Sequence, residues 1–182
     1  MRHKNPPHIT RQSITSAATS RKQVARAFKL YGSMMGPIHL DTGAGKYDLA
    51  QKWMKKHYPR VRFYREDPYN LPASLSQKAI KTVKRHGADS VTSNNVLNVI
   101  KEADARIEHI AIAAMMLKPK GLAIFQIYKG KPDERRRYPK GRQLGDTWQH
   151  FKPASFYTPM IRKAFKQVGV VGDFIFARGP KV

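Results

Sequence analysis

"HLDTGAGKYD" (residues 39–48) closes the apolar run "GPIHLD" and leads into "KYDLAQKWMKKHY", where Ala50, Trp53, Met54 and Tyr58 recur at helical spacing. A strand, a glycine turn and an amphipathic helix, in that order, form the opening unit of a doubly wound α/β sheet. Gly43 and Gly45 let the backbone approach a ligand closely, and the start of the following helix offers N–H groups to an anionic moiety. Two aspartates, Asp41 and Asp48, flank this turn in a chain where acids are scarce.

The same alternation continues outward. "VRFYRED" (61–67) lies between Pro59 and Pro68 and reads as a strand. "SLSQKAIKTVKRH" predicts a helix capped by Ser74 and stopped at Gly87. "ADSVTSNNVLNVI" holds a strand and then a turn, and "EADARIEHIAIAAMML" a helix with a broad apolar face. "GLAIFQIY" (121–128) has the unbroken apolar character of a central parallel strand. A helix around "SFYTPMIRKAFK" and one bent strand or two short ones in "VGVVGDFIFAR" end the chain. Upstream, Val24, Ala27, Phe28 and Tyr31 predict a helix over 13–31. The expected fold is α/β, a Rossmann-like doubly wound, mostly parallel sheet in one domain. That domain spans 13–182 and carries a basic loop at 129–155, behind a basic flexible tail at 1–12.

Charge narrows the partners. The 182 residues carry 35 Lys and Arg against 12 Asp and Glu, formally +23. Such an excess usually answers a polyanion, and here nucleic acid, DNA or RNA, is the expected partner. Residues 1–40 contain no acid, and "KGKPDERRRYPKGR" (129–142) adds seven basic residues. No run approaches a bilayer span, so no membrane partner is expected. The absence of cysteine excludes disulfides and thiolate metal sites and fits a cytoplasmic setting. His57, His86, His109 and His150 show no metal-ligand spacing, so no metal is expected.

Twenty-two residues beyond Gly45, at the end of the next strand, Asp67 can accept both hydroxyls of a ribose. Two nucleoside ligands compete for such a site. A dinucleotide favours three glycines and no acid in the turn, whereas D-x-G-x-G-K-x-D places Asp41 where it repels pyrophosphate and suits the ammonium of a methionine moiety. The pattern favours S-adenosylmethionine (SAM) over NAD.

"LDTGAGKYD" resembles motif I of class I SAM-dependent methyltransferases. "YREDPYNLP" is similar to their second acidic motif in the version seen in small uncharacterised phage and bacterial methyltransferases. "ADSVTSNNVLNVI" followed by "AAMMLKPKGLAIFQIY" resembles the segment those enzymes carry up to their fifth strand. Tyr47 in place of a common glycine, and Lys120, depart from the pattern. The resemblance spans roughly residues 38–128 and implies a SAM-dependent methyltransferase. It implies that Asp41, Gly43, Ala44 and Gly45 line the methionine half of the cofactor and that Asp67 binds the ribose, with Pro68 and Tyr69 beside the adenosine. Asn94, Asn95 and Val96 would sit near the sulfonium, at the end of the fourth strand. For a phage-encoded enzyme the setting would be the host cytoplasm.

Methyl transfer needs alignment of the acceptor and exclusion of water more than a strong base. "SNNV" (93–96) lacks the proline pair and aromatic of enzymes that methylate exocyclic amino groups in DNA, and without cysteine a covalent cytosine-C5 mechanism is excluded. Asn95 and Asn98 are candidates to hold an acceptor, and equally good helix caps. Arg135, Arg136, Arg137, Lys140 and Arg142, in the loop after the fifth strand, are the candidate nucleic-acid contacts, with Tyr138 or Trp148 available to stack on a base. Two alternatives stand beside a nucleic-acid methyltransferase: a non-catalytic basic protein keeping this fold to bind nucleic acid, and a methyltransferase for a small molecule or a protein.

Overall fold

The computed structural model describes residues 21–145 and 147–181, so the tail expected at 1–12 and the first part of the helix expected over 13–31 lie outside the described residues. The elements run α1 (Arg26–Tyr31), β1 (Ile38–Thr42), α2 (Leu49–His57), β2 (Arg62–Glu66), α3 (Ala73–His86), β3 (Ala88–Asn94), α4 (Ala103–Met116) and β4 (Leu117–Gln126). They continue with α5 (Pro132–Arg137), β5 (Arg142–Leu144), β6 (Thr147–Gln149), α6 (Ala154–Ala164), β7 (Phe165–Val171) and β8 (Phe174–Pro180). Six strands form one sheet in the order β2-β1-β3-β4-β8-β7. The first four are mutually parallel, and β8 runs antiparallel to both neighbours. The mostly parallel α/β sheet read from the sequence is therefore present, and "VGVVGDFIFAR" contributes to two strands of a hairpin.

Period-2 alternation sends each strand's side chains to two faces. Ile38, Leu40, Val91, Ala123, Phe125 and Ile175 belong to one core with buried residues of α3, α4 and α6. Leu122, Ile124 and Phe174 belong to a second core with Ala27 and Phe28 of α1 and Met54 of α2. Helices on both faces bury the central strands twice over, which is why "GLAIFQ" reads as an unbroken apolar run.

Several sequence expectations are corrected. Among the described residues the N-terminal helix begins only at Arg26. The Ala27 N–H, which an earlier helical turn would have engaged, instead donates to Gln126 Oε1 at 2.9 Å. Helix α3 starts after Pro72 with no side-chain cap, so Ser74 does not cap it. Residues 97–99 form a turn, as expected after the strand. No strand occurs between Glu66 and Ala88 among the described residues, so β3 and β4 stand where the resemblance implied a fourth and a fifth strand. The basic segment at 129–155 is not a bare loop, since it contains α5 and the β5–β6 ribbon.

Candidate functional site

Register builds the site. Parallel pairing sets Asp41 beside Arg65 of β2 and beside Thr92 of β3, and sets Thr42 beside Glu66. Asp41 Oδ1 accepts from Thr92 Oγ1 at 2.7 Å and from Asn94 Nδ2 at 2.9 Å. Because Thr92 gives its only proton to Asp41, the contact between His39 Nε2 and Thr92 Oγ1 (3.0 Å) makes that ring nitrogen the donor. His39 Nδ1 then accepts from Ser90 Oγ at 2.8 Å. His39 is fully buried, and desolvation pushes its imidazole down to about 3, so it stays neutral in this chain of hydrogen bonds.

The glycine turn closes on these strand ends. Gly43 and Gly45 both have φ near +69°, the left-handed region open to glycine. A Cβ on Gly43 would lie 2.5 Å from Val96 Cγ2, so the turn and the 95–98 loop can meet only because that position is bare. The turn's own N–H groups are engaged within the protein. Gly43 and Ala44 donate to the Glu66 carbonyl (2.8 and 3.1 Å), and Gly45 donates to Asp67 Oδ2 (2.9 Å). Arg65, buried beside the turn, donates to the Gly45 carbonyl at 2.9 Å. Asp48 lies at the start of α2 and pairs with Lys52 across one helical turn at 3.2 Å.

One cavity of about 510 Å³ opens at the carboxyl ends of β1–β4. Asp41, Gly43, Ala44, Gly45, Asp67, Pro68, Tyr69, Asn94, Asn95, Val96 and Asn98 all line it. Among the lining residues to which the sequence reading gave no role, two features stand out. Glu66 is the first, a buried carboxyl beside Asp67. The second is residues 23–26 and Phe28, which bring the N-terminal segment to the cavity wall. Arg21 sits near that wall, with Nε 2.7 Å from the Tyr47 hydroxyl and its guanidinium over the Tyr47 ring.

The adjacent carboxyls differ in occupation. Asp67 accepts from the N–H groups of Gly45, Tyr69 and Asn70 and from the Asn70 amide, so it organises the turn and the wall. Glu66 is pushed up to about 7 by burial and by the neighbouring Asp67 and Asp41, against the opposing pull of the Gly43 N–H. Burial likewise raises Asp41 to about 7, against its bonds to Thr92 and Asn94 and the nearby Arg65. Asn94 Oδ1 is buried with no hydrogen-bond partner among the described residues. An ammonium or hydroxyl ligand suits this donor-poor, acceptor-rich floor.

The basic candidates lie elsewhere. Arg135, Arg136, Arg137, Lys140 and Arg142 do not line the cavity. Arg137 and Arg142 lie over the Tyr138 ring and Lys101 lies over Trp148, and neither aromatic lines the cavity. Tyr128 at the end of β4 does line it, and its hydroxyl reaches Glu134 of α5 at 3.3 Å. Among the described residues there is no cluster suited to a metal ion, and no helix long and apolar enough to cross a membrane.

No family model matches the sequence, and no curated protein does. Solved structures match by shape. An O-methyltransferase family protein from Burkholderia thailandensis aligns with TM-score 0.54 at 15% identity, over 86% of this chain and 58% of its own. Human N-acetylserotonin methyltransferase, solved with SAM, aligns with TM-score 0.52 at 16% identity, over 85% of this chain and 53% of its own. The 1,6-didemethyltoxoflavin-N1-methyltransferase of B. thailandensis, solved with S-adenosylhomocysteine, aligns with TM-score 0.54 at 16% identity, over 85% and 76%. The chain spans little more than half the length of the first two. Sheet order, glycine turn and these alignments together give the chain the fold of class I SAM-dependent methyltransferases.

Proposed function

We propose that the chain is a SAM-dependent methyltransferase acting on, or recruited to, nucleic acid. The observation that carries the cofactor reading is the gathering of Asp41, Glu66 and Asp67 around one cavity at the strand ends of a +23 protein. The residues fit the cofactor: Gly43 and Gly45 leave bare backbone, and the floor offers carboxylate and carbonyl oxygens to an ammonium and a ribose. Bound there, SAM supplies a methyl group already activated by a positively charged sulfur. Asp41, held by Thr92 and Asn94, faces the methionine ammonium, and Gly43, Ala44 and Gly45 pass along the methionine. Glu66 takes the sugar hydroxyls, the role first expected of Asp67, while Asp67 fixes the turn. Pro68 and Tyr69 flank the adenosine, and Asn94, Asn95 and Val96 stand by the sulfonium. Residues 23–26 exclude water from above.

Calorimetry with S-adenosylhomocysteine tests this, with saturable one-to-one binding expected; silence with both it and SAM favours a non-catalytic nucleic-acid-binding protein. Affinity is also expected to rise with pH. Both raised carboxyls are largely protonated below about 7, and a ligand that needs them ionised must displace those protons. Binding measured at pH 6 should be weaker than at pH 8, with proton release at the lower pH.

The nucleic-acid part rests on charge and on the position of α5 next to the cavity mouth. Arg135, Arg136, Arg137, Lys140 and Arg142 are proposed to hold phosphates. Replacing Arg135, Arg136 and Arg137 with alanine is expected to weaken polynucleotide binding uniformly across sequences and to reduce the salt slope by roughly 2–3. An unchanged slope removes these residues from the interface. Because the toxoflavin and serotonin enzymes are named for small-molecule substrates, a small-molecule acceptor is the second reading. Tritiated-methyl transfer tested against DNA, RNA, protein and metabolite fractions separates the two.

A further inference from the structure

The wall of the cavity opposite the acids is built from amides. Asn95 and Asn98 come from the loop after β3, Gln126 from the end of β4, and Gln149 from the β5–β6 ribbon, with Tyr128 beside them. The backbone beneath is firmly tied: the Asn95 N–H donates to the Gln126 carbonyl at 2.8 Å and the His150 N–H to the Asn98 carbonyl at 2.7 Å. The side chains are less so, apart from Gln126 Oε1, which accepts from the Ala27 N–H at 2.9 Å. Gln126 Nε2 reaches Asn95 Oδ1 at 3.4 Å, and Asn98 Nδ2 reaches Gln149 Oε1 at 3.4 Å. The Tyr128 N–H reaches Asn98 Oδ1 at 3.4 Å, and Gln149 Nε2 reaches the Tyr128 carbonyl at 3.5 Å. On the acid side the bonds to Asp41 and Asp67 run from 2.7 to 3.2 Å. Bonds at the outer limit of hydrogen-bond geometry contribute little and exchange readily for better partners.

A carboxamide carries a donor and an acceptor side by side, and so matches a planar edge presenting the complementary pair. None of these five side chains is ionised at neutral pH, so a charged acceptor would find no counter-ion among them. The Tyr128 ring, 44% exposed, lies at the same wall and offers a face on which a planar ring can stack. Its hydroxyl is bonded to Glu134 of α5, so that face stands next to the arginines of the same helix.

From this we infer that the amide wall reads the hydrogen-bonding edge of a neutral heterocycle, a nucleobase stacked on Tyr128 and held by Gln149 and Asn98. The inference rests on the methyl-transfer reading for what happens to the base, but not for its recognition. A base presented by a polynucleotide fits the neighbouring arginines, and a free nucleoside shares the same edge.

The test uses the full chain, with and without S-adenosylhomocysteine. The probes are short single-stranded oligonucleotides of one base type, an abasic oligonucleotide of equal length, and free nucleosides. Base-bearing oligonucleotides are expected to bind about tenfold more tightly than the abasic one. Gln149→Ala and Tyr128→Leu should each remove most of that difference, leaving abasic affinity and S-adenosylhomocysteine binding unchanged. Free nucleosides that compete at equal base concentration assign the edge to a small molecule, with the same loss in both variants. Equal affinity for base-bearing and abasic probes overturns the inference, as does discrimination that survives both substitutions, or no binding of any base-bearing probe. Absence of S-adenosylhomocysteine binding overturns only the cofactor reading, since base discrimination is read without it.

Discussion

Glu66→Gln is expected to weaken S-adenosylhomocysteine binding by about 10- to 150-fold, the range for loss of hydrogen bonds to a charged group. The substitution keeps volume and removes a buried carboxyl that desolvation disfavours, so thermal stability should hold or rise above neutral pH. Asp67→Ala should behave in the opposite sense. It strips the acceptor from the N–H groups of Gly45, Tyr69 and Asn70, at a cost of about 2–4 kcal/mol in unfolding free energy. Paired calorimetry and thermal melts read both effects. If Glu66→Gln binds normally while Asp67→Asn does not, the sugar contact returns to Asp67.

The second large effect belongs to Gly43→Val. A branched side chain at φ +69° costs about 1–3 kcal/mol in backbone strain alone. Its Cβ would also stand 2.5 Å from Val96 Cγ2, so the turn or the 95–98 loop has to move. S-adenosylhomocysteine binding should be abolished and the melting temperature lowered. Adding Val96→Ala relieves the clash but not the strain, so the double variant should regain part of the stability. A single variant that binds like the wild type would mean the turn lies away from the ligand.

Where local pattern carried the information, the sequence was legible. The unit around "HLDTGAGKYD" gave strand, turn and helix, because glycine freedom and helical periodicity act over a few residues. Choosing between Glu66 and Asp67 was beyond it. Both stand at the end of β2 and line the cavity, and they differ in their hydrogen-bond partners, which local pattern does not show. The N-terminal helix was overextended because Val24 falls in helical spacing with Ala27, Phe28 and Tyr31, yet residues 23–25 lie against a cavity formed by strands far along the chain. Gln126, Gln149 and Arg65 escaped notice for a related reason. Each gains its place from strand register or from a ribbon, and nothing next to it in the chain announces this.

On the proposed nucleic-acid reading, a polyanion arriving at this molecule would meet two opposite fields. The excess of basic residues would draw phosphates in from a distance, whereas Asp41, Glu66 and Asp67 line the cavity with carboxyls. Above about pH 7, with Asp41 and Glu66 ionised, that lining would turn phosphates back at the threshold. Only an uncharged portion of such a visitor would then pass. On the proposed reading, backbone and base would be sorted by the sign of the potential, before any hydrogen bond is made.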